Sequence, residues 1–335
     1  MARKFGIIGC QHSHIGEFIE EMLALGYECA GIYDPQPTHV TEAVMNQFRL
    51  PLTDRMEPLL GPDIAVIGCA SINNEKIDII ETCEKFGKPV MLDKPIATNC
   101  RALERLQTVL ERGRIQVGLR FGYYFSPAAY TLKRLIDRGE LGKIVHIGIR
   151  EPHRLSKERR PDWHFSKERC GGIVIDLLIH DFGFLRWLTG KEIVSVAGYM
   201  GKNMLPEHPD FYDVASFQAL LEGGVTAQMY ADWHTPARSW TWGDERIFVV
   251  GTEGTAEIRL NGDPLVSEES LLICTTDLEP VRSLPLEPVP VTATEDFLGR
   301  LEGKPAIVGH AEIFEASRAA IEADERAQIF NTCRT

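Results

Sequence analysis

The sequence predicts an α/β chain in which an N-terminal, doubly wound parallel sheet (residues 1–122) precedes an α+β domain (residues 123–335) with a large, mostly antiparallel open sheet. Three observations predict it. The 335 residues exceed what a single hydrophobic core ordinarily serves. Up to about residue 120, short apolar runs alternate with amphipathic stretches, the order that builds a parallel sheet covered by helices. Beyond that point strand-like segments follow one another, as they do in antiparallel sheets.

In the first domain the apolar runs 5–8, 29–33, 64–68, 89–92 and 115–118 read as strands. Between them, 14–25, 38–48, 74–86 and 99–111 repeat apolar residues at helical spacing, with Asn99 as an N-cap and Lys88-Pro89 and Gly113 as punctuation before strands. The second domain opens with a helix at 127–137, a turn at 139–142 and a strand at 143–150. A loop rich in Arg and Lys (151–169) leads to a helix at 173–188. Strands are expected at 193–199, 212–220, 225–231, 246–250, 255–260 and 271–274. Helices at 294–301 and 310–328 close the chain and are free to pack back on the first domain.

Composition narrows the function. A hydrophobic content of 44% with 25% charged residues excludes a disordered chain. A formal charge of −12 repels phosphate backbones and anionic head groups, so neither nucleic acid nor a membrane is an expected partner. Eight cysteines without a C-x-x-C pair read as buried thiols of a reduced, cytoplasmic protein. The apolar run near the N-terminus is shorter than a signal peptide requires, and no stretch approaches the ~18 apolar residues of a membrane span.

The first strand ends in Gly9-Cys10-Gln11-His12-Ser13-His14 and runs into a helix, where a Rossmann fold places the turn that meets a dinucleotide pyrophosphate. Gln11 and His14 stand where a G-x-G-x-x-G pattern wants its later glycines. Asp34, ending the second strand, offers a carboxylate to ribose hydroxyls and repels a 2′-phosphate, which favours NAD over NADP. His12 and His14 have no third ligand close by in sequence, so no metal is expected. Asp93-Lys94-Pro95 puts an amine at the C-terminal edge of the sheet, and Asp176 and His180 lie four apart on a predicted helix.

With Asp93-Lys94-Pro95, Gly139 to Ile144, Gly171-Gly172…Asp176…His180 and Gly251 to Thr255 in this order, the chain resembles the glucose-fructose oxidoreductase, inositol dehydrogenase and rhizopine-catabolism protein (Gfo/Idh/MocA) family. The resemblance implies hydride transfer between a nicotinamide and a secondary alcohol or ketone of a sugar, cyclitol or related polyol. Carried over, Lys94 holds the reacting oxygen, His180 is the general base and Asp176 orients the substrate or the lysine. It adds Ala70, Ser71, Asn73, Asp93, Lys94 and Pro95 to the cofactor-binding set of Gly9 to His14 and Asp34. It also implies a homodimer or homotetramer. Arg150, Trp163 and Tyr123 join Lys94, Asp176 and His180 as substrate-binding candidates. His153, Arg154, His164, Trp233, His234, Trp240 and Trp242 add aromatic and hydrogen-bonding groups that suit a sugar. The alternatives are a non-catalytic nucleotide-binding regulator of the same fold, and a dehydrogenase or reductase of a non-sugar small molecule.

Overall fold

The computed structural model describes residues 3–332. In chain order its principal elements are β1 (Lys4–Cys10), α1 (Ile15–Ala24), β2 (Glu28–Tyr33), α2 (His39–Phe48), β3 (Ile64–Ala70), α3 (Lys76–Lys85), β4 (Val90–Leu92), α4 (Cys100–Arg112) and β5 (Val117–Leu119). There follow α5 (Pro127–Asp137), β6 (Ile144–Pro152), α6 (Lys167–Cys170), α7 (Ile179–Thr189), β7 (Ile193–Lys202), β8 (Val214–Leu221) and β9 (Thr226–Asp232). The remainder is β10 (Arg246–Gly251), β11 (Gly254–Arg259), β12 (Leu271–Thr276), β13 (Arg282–Ser283), α8 (Ala293–Leu301), α9 (His310–Arg326) and β14 (Gln328–Asn331).

The chain forms two compact units. One comprises the residues up to Phe121 with Pro161–Gly171 and Val291–Arg318, and the other Gly122–Arg160, Gly172–Pro290 and the residues from Ala319 on. The units are thus discontinuous, where the sequence predicts one boundary after residue 122.

In the first unit five parallel strands run in the order β2-β1-β3-β4-β5. The chain moves outward from β1 to β2 and then crosses back to β3, so the sheet has a switch point between β1 and β3, where open α/β sheets bind ligands beyond the strand ends. Phe5, Ile7, Ile8, Val66 and Ile67 are buried, as expected of strands covered on both faces. Local chemistry starts the helices where the sequence predicts: the Thr38 side chain caps α2 and the Asn99 carbonyl caps α4 by accepting the Ala102 N–H at 2.9 Å. Returning segments fasten to this layer. The Thr294 N–H donates to Glu21 of α1, and His310 Nε2 accepts the Val117 N–H of β5 at 3.1 Å.

In the second unit nine strands run in the order β13-β12-β11-β10-β6-β9-β8-β7-β14, antiparallel except for β6 with β9 and β7 with β14. Helix α5 packs on β11 and β12, and α7 on β6. Strand alternation turns Ile147, Ile149 and Glu151 to the buried side and leaves Arg150 exposed on the other. No helix among the described residues is long and apolar enough to cross a membrane. Cys10, Cys69, Cys83, Cys170 and Cys274 are buried free thiols, Cys29 and Cys100 are partly exposed, and Cys333 lies outside the described residues.

Candidate functional site

In the first unit the predicted cofactor residues gather at the C-terminal edge of the sheet. Gly9 has φ +81°, and a Cβ there would stand 2.5 Å from the Ser71 Cβ, so this turn needs glycine both for its backbone angle and for the approach of β1 to the end of β3. The Gln11 N–H donates to the Ala70 carbonyl at 2.7 Å, tying the two strand ends together.

The Gln11 side chain shows what replaces the missing glycine. Its Nε2 donates to both oxygens of Asp34 (3.0 and 2.9 Å) and to the Gln36 carbonyl at 2.7 Å. The carboxylate also accepts from the Cys10 N–H (3.3 Å), the Thr41 hydroxyl (2.8 Å) and the Gln36 N–H (3.2 Å). Asp34 is buried among these donors, so the acceptor expected to meet ribose is already engaged by its own chain.

Beyond β4 lies Asp93-Lys94-Pro95, with a cis Lys94-Pro95 bond. Both Asp93 and Lys94 are buried. His14 Nδ1 stands 2.9 Å from Asp93 Oδ1 and His12 Nδ1 3.2 Å from Oδ2. Burial alone raises the Asp93 carboxyl, but His14, His12 and the Lys76 ammonium beside it hold it well below the ordinary carboxylate range. The fold therefore supplies the third potential metal ligand that the sequence reading did not find. Lys76 itself is fully buried, its ammonium donating to the carbonyls of Asp93 (2.8 Å) and Lys94 (3.1 Å). Sequence reasoning missed this residue, because a lysine opening an amphipathic helix carries no local sign of burial.

Asn73 donates its amide to the Cys170 carbonyl at 2.8 Å, and Trp163 and Cys170 pack with Ile72. Trp163 is thus part of the first unit's packing, with a buried indole N–H that has no hydrogen-bond partner among the described residues. His164 is buried too, its Nδ1 3.7 Å from the Cys170 sulfur.

In the second unit Tyr123 is buried with its ring 5.6 Å from that of His180 and 5.6 Å from Phe184. Asp176 does not lie in the regular helix predicted at 173–188. It belongs to a π-type turn, Val174–Leu178, that precedes α7, so its spacing of four from His180 is not one α-helical turn. Below His180 lies the fully buried Asp181, whose two carboxylate oxygens have no hydrogen-bond partner among the described residues. Burial pushes the Asp181 carboxyl well above its ordinary range and Glu245 adds to the shift, with the neighbouring Glu151 acting against it. Burial likewise raises the Tyr123 phenol, assisted by Glu151, Glu245 and Asp181. Glu151 and Asp181 are not singled out by the sequence, because an acid at a strand end and one beside a motif histidine carry no mark of depth.

Arg150 does not join Tyr123 and His180. It pairs in register with Arg246 and Tyr230 on the exposed side of the sheet, whereas Glu151 next to it faces inward. The aromatic loop candidates interact with one another. Arg160 lies 4.5 Å over Trp233 and 5.9 Å over Trp242, His153 stacks edge-on against Trp233, and Arg154 donates to the carbonyls of Ser239 and Thr241. His234 Nε2 meets Asp213 Oδ1 at 3.1 Å.

Comparison with known proteins agrees with this architecture. Residues 3–121 match the oxidoreductase family with an NAD-binding Rossmann fold, and residues 130–257 match the GFO/IDH/MocA C-terminal domain. The chain is 25% identical over 218 residues to the myo-inositol dehydrogenase Hyg17 of Streptomyces leeuwenhoekii, covering 64% of each chain. It is 31% identical over 207 residues to the scyllo-inositol 2-dehydrogenase (NAD(+)) of Bacillus subtilis, covering 60% of this chain and 57% of that one. The matches thus span less than two thirds of the length of these curated relatives. A solved structure from Erwinia carotovora atroseptica, 26% identical, superposes with a TM-score of 0.88 over 98% of this chain and 99% of that one. With both of its characteristic domains matched in order, the chain belongs to the GFO/IDH/MocA family of oxidoreductases.

Proposed function

We propose that this oxidoreductase uses NAD to oxidise a secondary alcohol of a cyclitol, sugar or related polyol. The observation that carries the reading is the edge of the five-stranded sheet, where the Gly9 turn, the Asp34 carboxylate and Lys94 stand at the ends of β1, β2 and β4. The residues suit NAD: Gly9 to His14 leave backbone at a helix N-terminus for the pyrophosphate, and the Asp34 charge disfavours a 2′-phosphate. Ala70, Ser71 and Pro95 line the same edge. Bound there, the nicotinamide supplies the hydride acceptor.

Lys94 donates a hydrogen bond to the carbinol oxygen and stabilises the negative charge that grows on it. His180 accepts the hydroxyl proton as the carbinol C–H bond breaks, and Asp176 orients the substrate. In the second unit Tyr123 packs on His180, and in the first Trp163 keeps an indole N–H without a partner among the described residues; each is a substrate-binding candidate. Arg150 is not assigned to this site, since it lies on the exposed face of its sheet. That face also exposes Tyr199, Leu220, Phe248 and Val250, which supports self-association into a homodimer or homotetramer.

The test is NADH formation by the purified chain with NAD or NADP and a panel of inositols, aldoses and non-sugar alcohols, beside a thermal-shift titration. Nucleotide at ten times its Kd stabilises the fold by about 1.4 kcal/mol. Stabilisation by NAD that weakens in Asp34→Ala, with turnover of a polyol, supports the reading; turnover of non-sugar alcohols alone would replace its substrate class. The bond from Gln11 to Asp34 favours a second reading, a nucleotide-binding regulator without turnover, and NAD binding with no turnover across the panel would select it.

The same bond yields a prediction. Hydrogen bonds to a charged group contribute about 1.5–3 kcal/mol, and those from Gln11 compete with ribose hydroxyls for Asp34. Gln11→Gly is therefore expected to tighten NAD binding about tenfold in calorimetry. Unchanged or weaker affinity would show that Gln11 does not compete.

A further inference from the structure

Histidines 12 and 14 converge on one carboxylate. In the order β2-β1-β3-β4-β5 the loop after β1 and the loop after β4 are separated by the end of β3, and the imidazoles cross that gap to reach Asp93. One ligand atom from each of His12, His14 and Asp93 lies within 4.8 Å of the others, and the two rings pack edge to face with centroids 4.2 Å apart. A tetrahedral ion with bonds of about 2.0–2.1 Å holds its ligand atoms about 3.3–3.4 Å apart; His12 Nδ1 lies 3.2 Å from Asp93 Oδ2, and His14 Nδ1, hydrogen-bonded to Oδ1 at 2.9 Å, has a few tenths of an ångström to move outward.

The hydrogen-bond pattern at His12 points the same way. Its Nδ1 accepts the His14 backbone N–H at 3.3 Å, which requires a lone pair, and that same lone-pair nitrogen stands 3.2 Å from the Asp93 Oδ2 carboxylate oxygen, two acceptors facing each other. A cation between the imidazoles and the carboxylate accepts the Nδ1 lone pair and the carboxylate charge together.

We propose that His12, His14 and Asp93 form a binding site for a divalent transition-metal ion, with zinc(II) the first choice. Two imidazoles and a carboxylate suit zinc, cobalt or nickel better than magnesium or calcium, which prefer oxygen alone. Three protein ligands leave one position open, and the side chains of His12 and His14, 28% and 44% exposed, give the ion a route from solvent. Cys10 is not a ligand: its thiol is buried and burial, with Asp34 adding, pushes it up to about 12. The Lys76 ammonium at the Asp93 carbonyl offsets part of the carboxylate charge, which lowers the site's pull on any cation and leaves the two imidazoles to supply its selectivity.

The test uses the full chain, stripped with a chelator and free of affinity tag, nucleotide and polyol, so its outcome is independent of the dehydrogenase reading. Cobalt(II) is titrated for its visible ligand-field absorption, and zinc(II) is titrated in competition with a chromophoric chelator. The expected result is one equivalent bound with a Kd below about 10 μM. His12→Ala and His14→Ala are each expected to weaken binding at least about 100-fold, beyond the usual loss on removing an outer-shell partner. Both are partly exposed loop residues, so their variants are preferred to one at the buried Asp93, and a thermal melt checks that each is folded. Weaker zinc binding than that limit, or binding that persists in the double variant, would overturn the site.

Discussion

Lys76→Met is expected to cost about 3–5 kcal/mol of folding stability, the usual penalty for removing one member of a buried charged pair. The ammonium is fully buried, donates to two backbone carbonyls and lies close enough to the Asp93 carboxylate to lower its pKa. Its loss leaves those carbonyls short of a donor and the buried carboxylate short of a cation. Urea unfolding would show the loss as a lower midpoint at unchanged slope. Where the variant still folds, kcat/KM should fall as well, since the carbonyl that Lys76 grips belongs to Lys94 and fixes the path of the chain there. A midpoint within the error of wild type would mean that Asp93 and Lys94 are held by the strand alone.

Lys94→Met is expected to lower kcat/KM for polyol oxidation by about 10²–10³-fold, the cost of removing one donor from a developing oxyanion. Affinity for NAD measured by calorimetry should change far less, because the ammonium is assigned to the substrate oxygen. His180→Ala gives the complementary signature. With imidazole as base, wild-type oxidation declines on the acid side as the base is protonated, and the variant should lack that acid limb on a lower baseline. Retention of kcat/KM within about threefold in Lys94→Met would remove the lysine from the reacting oxygen, since a donor to it is worth far more.

The parts of this molecule written in short-range chemistry were legible in its sequence. Alternation of apolar runs predicted β1 to β5, and Thr38 and Asn99 lie at the helix starts where capping side chains were to be expected. The glycine turn at Gly9 and the acid ending β2 were legible because strand-end chemistry is local. Contacts over long sequence separations were not. Asn73 binds Cys170 across 97 residues, and with Trp163 on Ile72 this bond draws a stretch of the polar loop into the first unit. His12 and His14 meet Asp93 about 80 residues away, so a search for neighbouring ligands passed over it. Strand β14 was missed because all four of its residues are exposed and show no alternation. The π-type turn at Asp176 likewise left no trace in a pattern read at 3.6 residues per turn.

The buried Asp181 carboxyl makes folding a proton-uptake reaction. The formal charge of −12 counts every carboxylate as ionised, but between the ordinary carboxylate pKa and the raised value of the folded state Asp181 holds a proton that the unfolded chain releases. The folded chain carries fewer negative charges than its composition states over that interval. The sign follows from linkage: this group's contribution to stability is fully present below the unfolded pKa and is lost as pH rises through the folded one. For this group alkali, rather than acid, takes stability away from the second unit.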